Sequence, residues 1–181
     1  MNTGHRLFFA LVPGARIRKR IEQVQSDLRV TGRAATPHQF HATLAFLGMQ
    51  QPEQIPQIES IASRLSFEHC KIVMDRIGRF KRAGVLWLGA SRIPQPLVRF
   101  QQSLVEALLD AGIGHDRKAW EFHITLYRKM RMRSPIMNPV AIEWSLHGFE
   151  LIKSVSIRSG VEYHSIGQWK AQSDRDISGD V

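Results

Sequence analysis

A chain of 181 residues, 43% of them hydrophobic and 23% charged, is long enough for one domain or for two small lobes around a shared core; the composition lies outside the disordered, collagen-like and membrane-spanning classes. Cys70, the lone cysteine, excludes an internal disulfide and a cysteine-based zinc site, and it suits a reducing, cytoplasmic setting. Lys and Arg number 25 against 16 Asp and Glu, a net charge of +9 that attracts polyanions, and most of these cations are Arg, whose planar fork grips phosphate oxygens in pairs.

Leu7 to Val12 is an apolar and aromatic run closed by Pro13-Gly14, which predicts a central strand; it is too short for a signal peptide, and no run approaches the ~20 apolar residues of a membrane span. Ile17, Ile21, Val24 and Leu28 recur at helical spacing, so Ala15 to Arg29 reads as an amphipathic helix ended by Gly32. After a Thr36-Pro37 loop, Phe40 to Leu47 reads as a second strand closed by Gly48. Pro52 opens a helix carrying Ile55, Ile58, Ala62 and Leu65, and Cys70 to Met74 alternates as a half-buried strand. Val85 to Leu88 begins a second round of strand, helix and strand. Its helix carries Leu97, Phe100, Leu104, Leu108 and Ala111 and stops at Gly112, and its second strand is Phe122 to Tyr127. Arg128 to Val140 reads as a loop, Ile142 to Leu146 and Val161 to Trp169 as strands, and 171–181 as a polar, flexible tail. No linker divides the chain, so residues 1–170 form a single unit of α+β class with an internal duplication.

His41-Ala42-Thr43-Leu44 lies on the second strand of the first round, and His123-Ile124-Thr125-Leu126 on the equivalent strand of the second. Random placement predicts about 0.02 such tetrads in a chain of this composition. On a strand, residues two apart share a face, so each tetrad sets an imidazole beside a hydroxyl. If the two rounds are related by a pseudo-twofold, two imidazoles and two hydroxyls converge on one point. Such a pair supplies both an acid and a base across one phosphorus, while hydroxyls and Arg stabilise its added negative charge. A shared zinc ion is the competing reading; neither tetrad brings Asp, Glu or Cys as a third ligand, and His38 and His115 sit in loops. A solvated edge-strand face is the bland one.

The runs His41-Ala42-Thr43-Leu44-Ala45-Phe46-Leu47-Gly48 and His123-Ile124-Thr125-Leu126-Tyr127-Arg128 resemble the two signatures of the two-histidine phosphoesterases, specifically the bacterial RNA 2′,3′-cyclic phosphodiesterases, also called 2′-5′ RNA ligases. Arg6 to Leu11, Val85 to Gly89, and Tyr163 with Trp169 extend the resemblance from Arg6 to Trp169. It implies a bilobal pseudo-twofold fold, mainly antiparallel sheets facing a central cleft with helices outside. It also implies metal-free hydrolysis of a terminal RNA 2′,3′-cyclic phosphate to a 2′-phosphate, with a weak reversible 2′-5′ joining. Carried over by motif, His41 is the proton donor to the 3′ oxygen, His123 the acceptor that activates water, and Thr43, Thr125 and Arg128 hold the phosphate. No cofactor, membrane anchor or obligate protein partner is expected. The second signature departs from the pattern in having Glu121-Phe122 where a proline commonly precedes the histidine, and a carboxylate there is expected to raise a neighbouring imidazole pKa. The alternatives are a phosphodiesterase for small cyclic or 2′-5′ linked nucleotides and a non-catalytic RNA-binding module.

Phe46 and Tyr163 read as core, with stacking on a base as the alternative. Arg79-Phe80-Lys81-Arg82 and Arg128 to Arg133 read equally as an RNA-end funnel or as solvated loops. His5, His69, His147 and His164 read as surface or structural residues, and Cys70 as buried and inert.

Overall fold

The computed structural model describes residues 4–28, 30–116, 118–130, 140–158 and 160–172. In chain order the elements are β1 (His5–Leu11), α1 (Ala15–Asp27), β2 (Arg33–Ala34), β3 (Ala42–Gln50), α2 (Ile55–Ser63), β4 (Cys70–Met74) and β5 (Arg76–Phe80). The second half comprises β6 (Val85–Gly89), α3 (Gln95–Asp110), β7 (His123–Arg128), β8 (Ile142–Leu146), β9 (Gly148–Ile157) and β10 (Gly160–Lys170). The periodic segments become the elements their spacing predicts. α3 buries Leu97, Phe100, Leu104 and Leu108 and ends where Gly112 adopts φ +71°, with Gly112 and Ile113 N–H groups donating to the Leu109 and Leu108 carbonyls.

Several boundaries differ from the sequence reading. Among described residues α1 ends at Asp27, and Arg29 lies outside them, as do 131–139 of the expected loop and 173–181 of the expected tail. Ala171 and Gln172, placed in that tail, are tied back by backbone hydrogen bonds to His147 and Phe67. β3 runs on through Gly48 to Gln50, because Gly48 takes φ +70° inside the strand without a Cβ penalty. Pro52 opens a 3₁₀ turn, and α2 begins after it. Two strands carry no clear period-two signal, β5 and β9. Arg79 and Phe80 of the basic run end β5, while Lys81 and Arg82 enter its turn.

Seven strands form one antiparallel path in the order β10-β9-β1-β3-β7-β6-β5, with β2 paired to β7, and β4 pairs with β8 separately. The register carries the pseudo-twofold. Ala42 faces Ile124 where β3 meets β7, each the residue after its tetrad histidine, and Ile72 faces Trp144 where β4 meets β8. β1 pairs with β3 as β6 pairs with β7, and each pair gains a strand from the other half: β9 beside β1, β5 beside β6. β3 and β7 share that one register pair, so the two halves diverge beyond it and leave a cleft. The main core holds Phe9, Leu11, Leu44, Phe100, Leu126 and Phe149; a smaller apolar cluster of Phe8, Ala10 and Ile152, flanked by Phe46 and Tyr163, covers the other face of β1.

Candidate active site

His41 immediately precedes β3 and His123 begins β7, so the pseudo-twofold brings both tetrads to the join between the halves. Each imidazole is held the same way. Nδ1 of His41 lies 2.7 Å from the carbonyl of Gln39, and Nδ1 of His123 lies 2.8 Å from that of Glu121. A carbonyl only accepts, so Nδ1 must donate, and the neutral ring then keeps its lone pair on Nε2. The second ring contacts are aromatic: Phe8 and Tyr163 at 4.8 and 5.0 Å from His41, Phe80 and Trp87 at 4.9 and 6.3 Å from His123.

Both imidazoles resist protonation. Burial pushes His41 down to about 4; the Gln39 carbonyl works against that shift, while the charges of His123 and Arg128 add to it. His123 is lowered by burial too, opposed by the Glu121 carbonyl and carboxylate and assisted by Arg128. Glu121 therefore raises its neighbour as its charge dictates, yet desolvation outweighs it and the net shift is downward.

The fourth residue of each tetrad does more than pack. Phe9 and Ala10 face Ala45 and Thr43, leaving Leu44 as an extra residue in β3; Leu86 and Trp87 face Tyr127 and Thr125, leaving Leu126 extra in β7. A bulge moves every later side chain to the opposite face. Phe46 thereby rejoins the face of His41 and Thr43, and Arg128 rejoins that of His123 and Thr125. The five named residues His41, His123, Thr43, Thr125 and Arg128 all line two adjoining cavities. One, of about 400 Å³, holds His41, Thr43, Thr125 and Arg128 with Arg6 and Tyr163. The other, of about 1350 Å³, holds Thr43 and His123 with Arg79, Lys81, Arg82 and Trp120; Thr43 and Phe46 line both.

A model of the family described as LigT-like phosphoesterases matches residues 12–87. An RNA 2′,3′-cyclic phosphodiesterase of Archaeoglobus fulgidus is 30% identical over 149 residues, covering 80% of this chain and 83% of that protein. The chain belongs to the LigT-like phosphoesterase family. An RNA 2′,3′-cyclic phosphodiesterase of Escherichia coli K12 is 27% identical across 93% of this chain and 98% of its own length. The crystal structure of E. coli LigT complexed with 3′-AMP superposes with a TM-score of 0.86 at 25% identity, over 94% of this chain and 99% of that one.

Within this LigT-like framework, several residues line the site that the motifs alone do not indicate. Phe46, expected in the core, borders both cavities, and the Arg6 guanidinium lies 5.0 Å above its ring. Tyr163 stands edge-on to His41 as a cleft wall. Arg33 and Trp120 carry no sequence signal of their own: long-range pairing delivers them, as when Trp120 Nε1 donates to the Thr43 carbonyl at 2.9 Å, while Gln39 comes with the turn before His41. The basic run of β5 and its turn also reaches the cleft, whereas Arg131 and Arg133 of the second run lie outside the described residues. His115 lines the larger cavity, and His38 sits in the 3₁₀ turn before His41. His69 and His147 stack on each other at 4.8 Å, and His164 pairs with Glu162. No group of three or more His, Cys, Asp or Glu able to hold a metal occurs among the described residues. Cys70 is buried. No helix among them is long and apolar enough to cross a membrane.

Proposed function

We propose that this protein hydrolyses the 2′,3′-cyclic phosphate at the end of an RNA chain to a 2′-phosphate, without a metal. One observation carries the reading: two imidazoles at pseudo-twofold positions, each with Nδ1 committed to a carbonyl two residues earlier, so that two Nε2 atoms remain for chemistry in one cleft. His123 Nε2 takes a proton from water as the water oxygen attacks phosphorus; the bond from phosphorus to O3′ breaks, and protonated His41 gives its Nε2 proton to O3′. A free 3′-hydroxyl and a 2′-phosphomonoester result. Thr43 and Thr125 donate hydroxyl hydrogens, and Arg128 its fork, to the non-bridging oxygens as charge builds there.

In-line displacement sets the attacking water and the leaving O3′ on opposite sides of phosphorus. The ribose then lies toward His41, where the smaller cavity offers Phe8, Phe46 and Tyr163 as apolar walls. The larger cavity beside His123 is lined by Arg79, Lys81, Arg82 and Lys118, a field suited to a polyanionic strand. The relatives named as RNA 2′,3′-cyclic phosphodiesterases support the same substrate, and the lone buried thiol suits a cytosolic setting.

The test is incubation of the purified protein with an RNA ending in a 2′,3′-cyclic phosphate in excess EDTA. Full turnover to a 2′-phosphate end, identified by mass and by phosphatase and ligase sensitivity, is the expected result. A 3′-phosphate end would reverse which oxygen leaves, and activity lost in EDTA and restored by zinc or manganese would replace the metal-free mechanism.

A further inference from the structure

At each of these two bulges a carbonyl accepts from a glutamine of the opposite half. Gln25 of α1, 9% exposed, donates through Nε2 to the Leu126 carbonyl of β7 at 2.7 Å and to Ala35 at 2.9 Å. Gln101 of α3 donates through Nε2 to the Leu44 carbonyl of β3 at 3.2 Å. Leu126 also accepts from the Ala35 N–H at 2.8 Å, and the Tyr127 hydroxyl donates to the Gln25 carbonyl at 2.9 Å, so the β7 bulge is fastened both to α1 and to the segment that follows β2.

We propose that Gln25 and Gln101 are positioning residues, each fixing from one half the bulge that turns a cleft residue of the other half inward: Gln25 for Arg128, Gln101 for Phe46. A side-chain hydrogen bond to a bulge carbonyl adds to the stability of the bulged register alone, so each glutamine favours that register over a regular strand. A regular β7 would swing Arg128 to the opposite face, away from Thr125. The arrangement is reciprocal. The first half supplies the helix that shapes the β7 tetrad, and the second supplies the helix that shapes the β3 tetrad. This inference takes Arg128 as a phosphate ligand and so rests on the proposed function.

Gln25→Met and Gln101→Met, each combined with Arg128→Ala or Phe46→Ala, form the test, with kcat/KM for cyclic-phosphate hydrolysis and the dissociation constant of inorganic phosphate as readouts. Gln25→Met should lower kcat/KM on the order of tenfold and weaken phosphate binding, and the loss should vanish in the Arg128→Ala background but persist with Phe46→Ala. Gln101→Met should show the converse, its loss vanishing with Phe46→Ala alone. A purely structural role predicts equal losses in both backgrounds, and that result, or no loss in a folded variant, overturns the proposal. If Gln25→Met does not fold, the Gln101 pair decides on the same criterion. Absence of turnover in the unaltered protein would reject the proposed function, while the phosphate-binding cycle would still report on the positioning of Arg128.

Discussion

An imidazole that gives its Nδ1 proton to a carbonyl gains a fixed tautomer and loses rotational freedom, and His41 and His123 both do so through the residue two positions earlier. The same burial that orients them keeps them neutral. With His41 near 4 and His123 also below its ordinary value, the free protein above neutral pH holds two bases and no acid. An anionic phosphate between them favours the protonated form, raising both. The acid limb and the alkaline limb of kcat/KM, which report the free protein, should therefore both lie below about pH 6.5, while the kcat profile sits at higher pH. Steady-state rates across pH 4 to 9 check this, and coincident profiles would contradict it. The two limbs belong to a coupled pair and not to single residues.

At the scale of elements, the β5–β6 hairpin is shaped around one side chain. Trp87 is buried, faces Thr125 across the β6–β7 ladder, and packs near His123 with the Arg76 guanidinium 5.3 Å from its ring. Its ring packs against Gly78, where a Cβ would come within 2.0 Å of it, and close to Gly89, where the distance would be 2.6 Å. Only glycine leaves that space. Gly78→Ala should destabilise the fold by about 1–3 kcal/mol and reduce turnover, because the ring it displaces supports His123. Adding Trp87→Leu should restore part of the lost stability by removing the clash. Denaturant melts of the single and double variants measure both effects, and a Gly78→Ala protein as stable as the unaltered one would show that the ring has room to shift.

For the whole molecule, the cleft between halves stores a pH dependence of stability. His41 titrates near 4 when folded and near ~6.5 when unfolded, so between these values the unfolded chain binds a proton the native one refuses. The sign follows: stability is complete above pH 6.5 and falls as pH drops through 4, by about 3 kcal/mol from this group. His41→Asn, which keeps an N–H for the Gln39 carbonyl and removes the titration, should lose less stability between pH 7 and pH 4.5. Melting temperatures of both proteins at the two values test this, and an identical drop would place the dependence elsewhere.

Local sequence determined the elements whose burial is periodic and the chemistry that is repeated. The stripes of α1 and α3, the apolar run of β1 and the paired tetrads each write their structure within a few residues, because helical and strand periods are local geometry. β5 and β9 were not legible in this way. Leu151 of β9 packs into the main core on one face and Ile152 into the smaller apolar cluster on the other, so the two are buried side by side and the alternation disappears. The bulges at Leu44 and Leu126 are equally silent in sequence, since a leucine is buried whether it packs in register or out of it. Only the partner strand decides the count, and that count placed Phe46 and Arg128 in the cleft. The histidines and threonines were thus readable from spacing alone. Their surroundings, from Tyr163 and Trp120 to the depressed imidazoles, depend on desolvation and on contacts between residues distant in the chain, which exist only once the two halves have closed on each other.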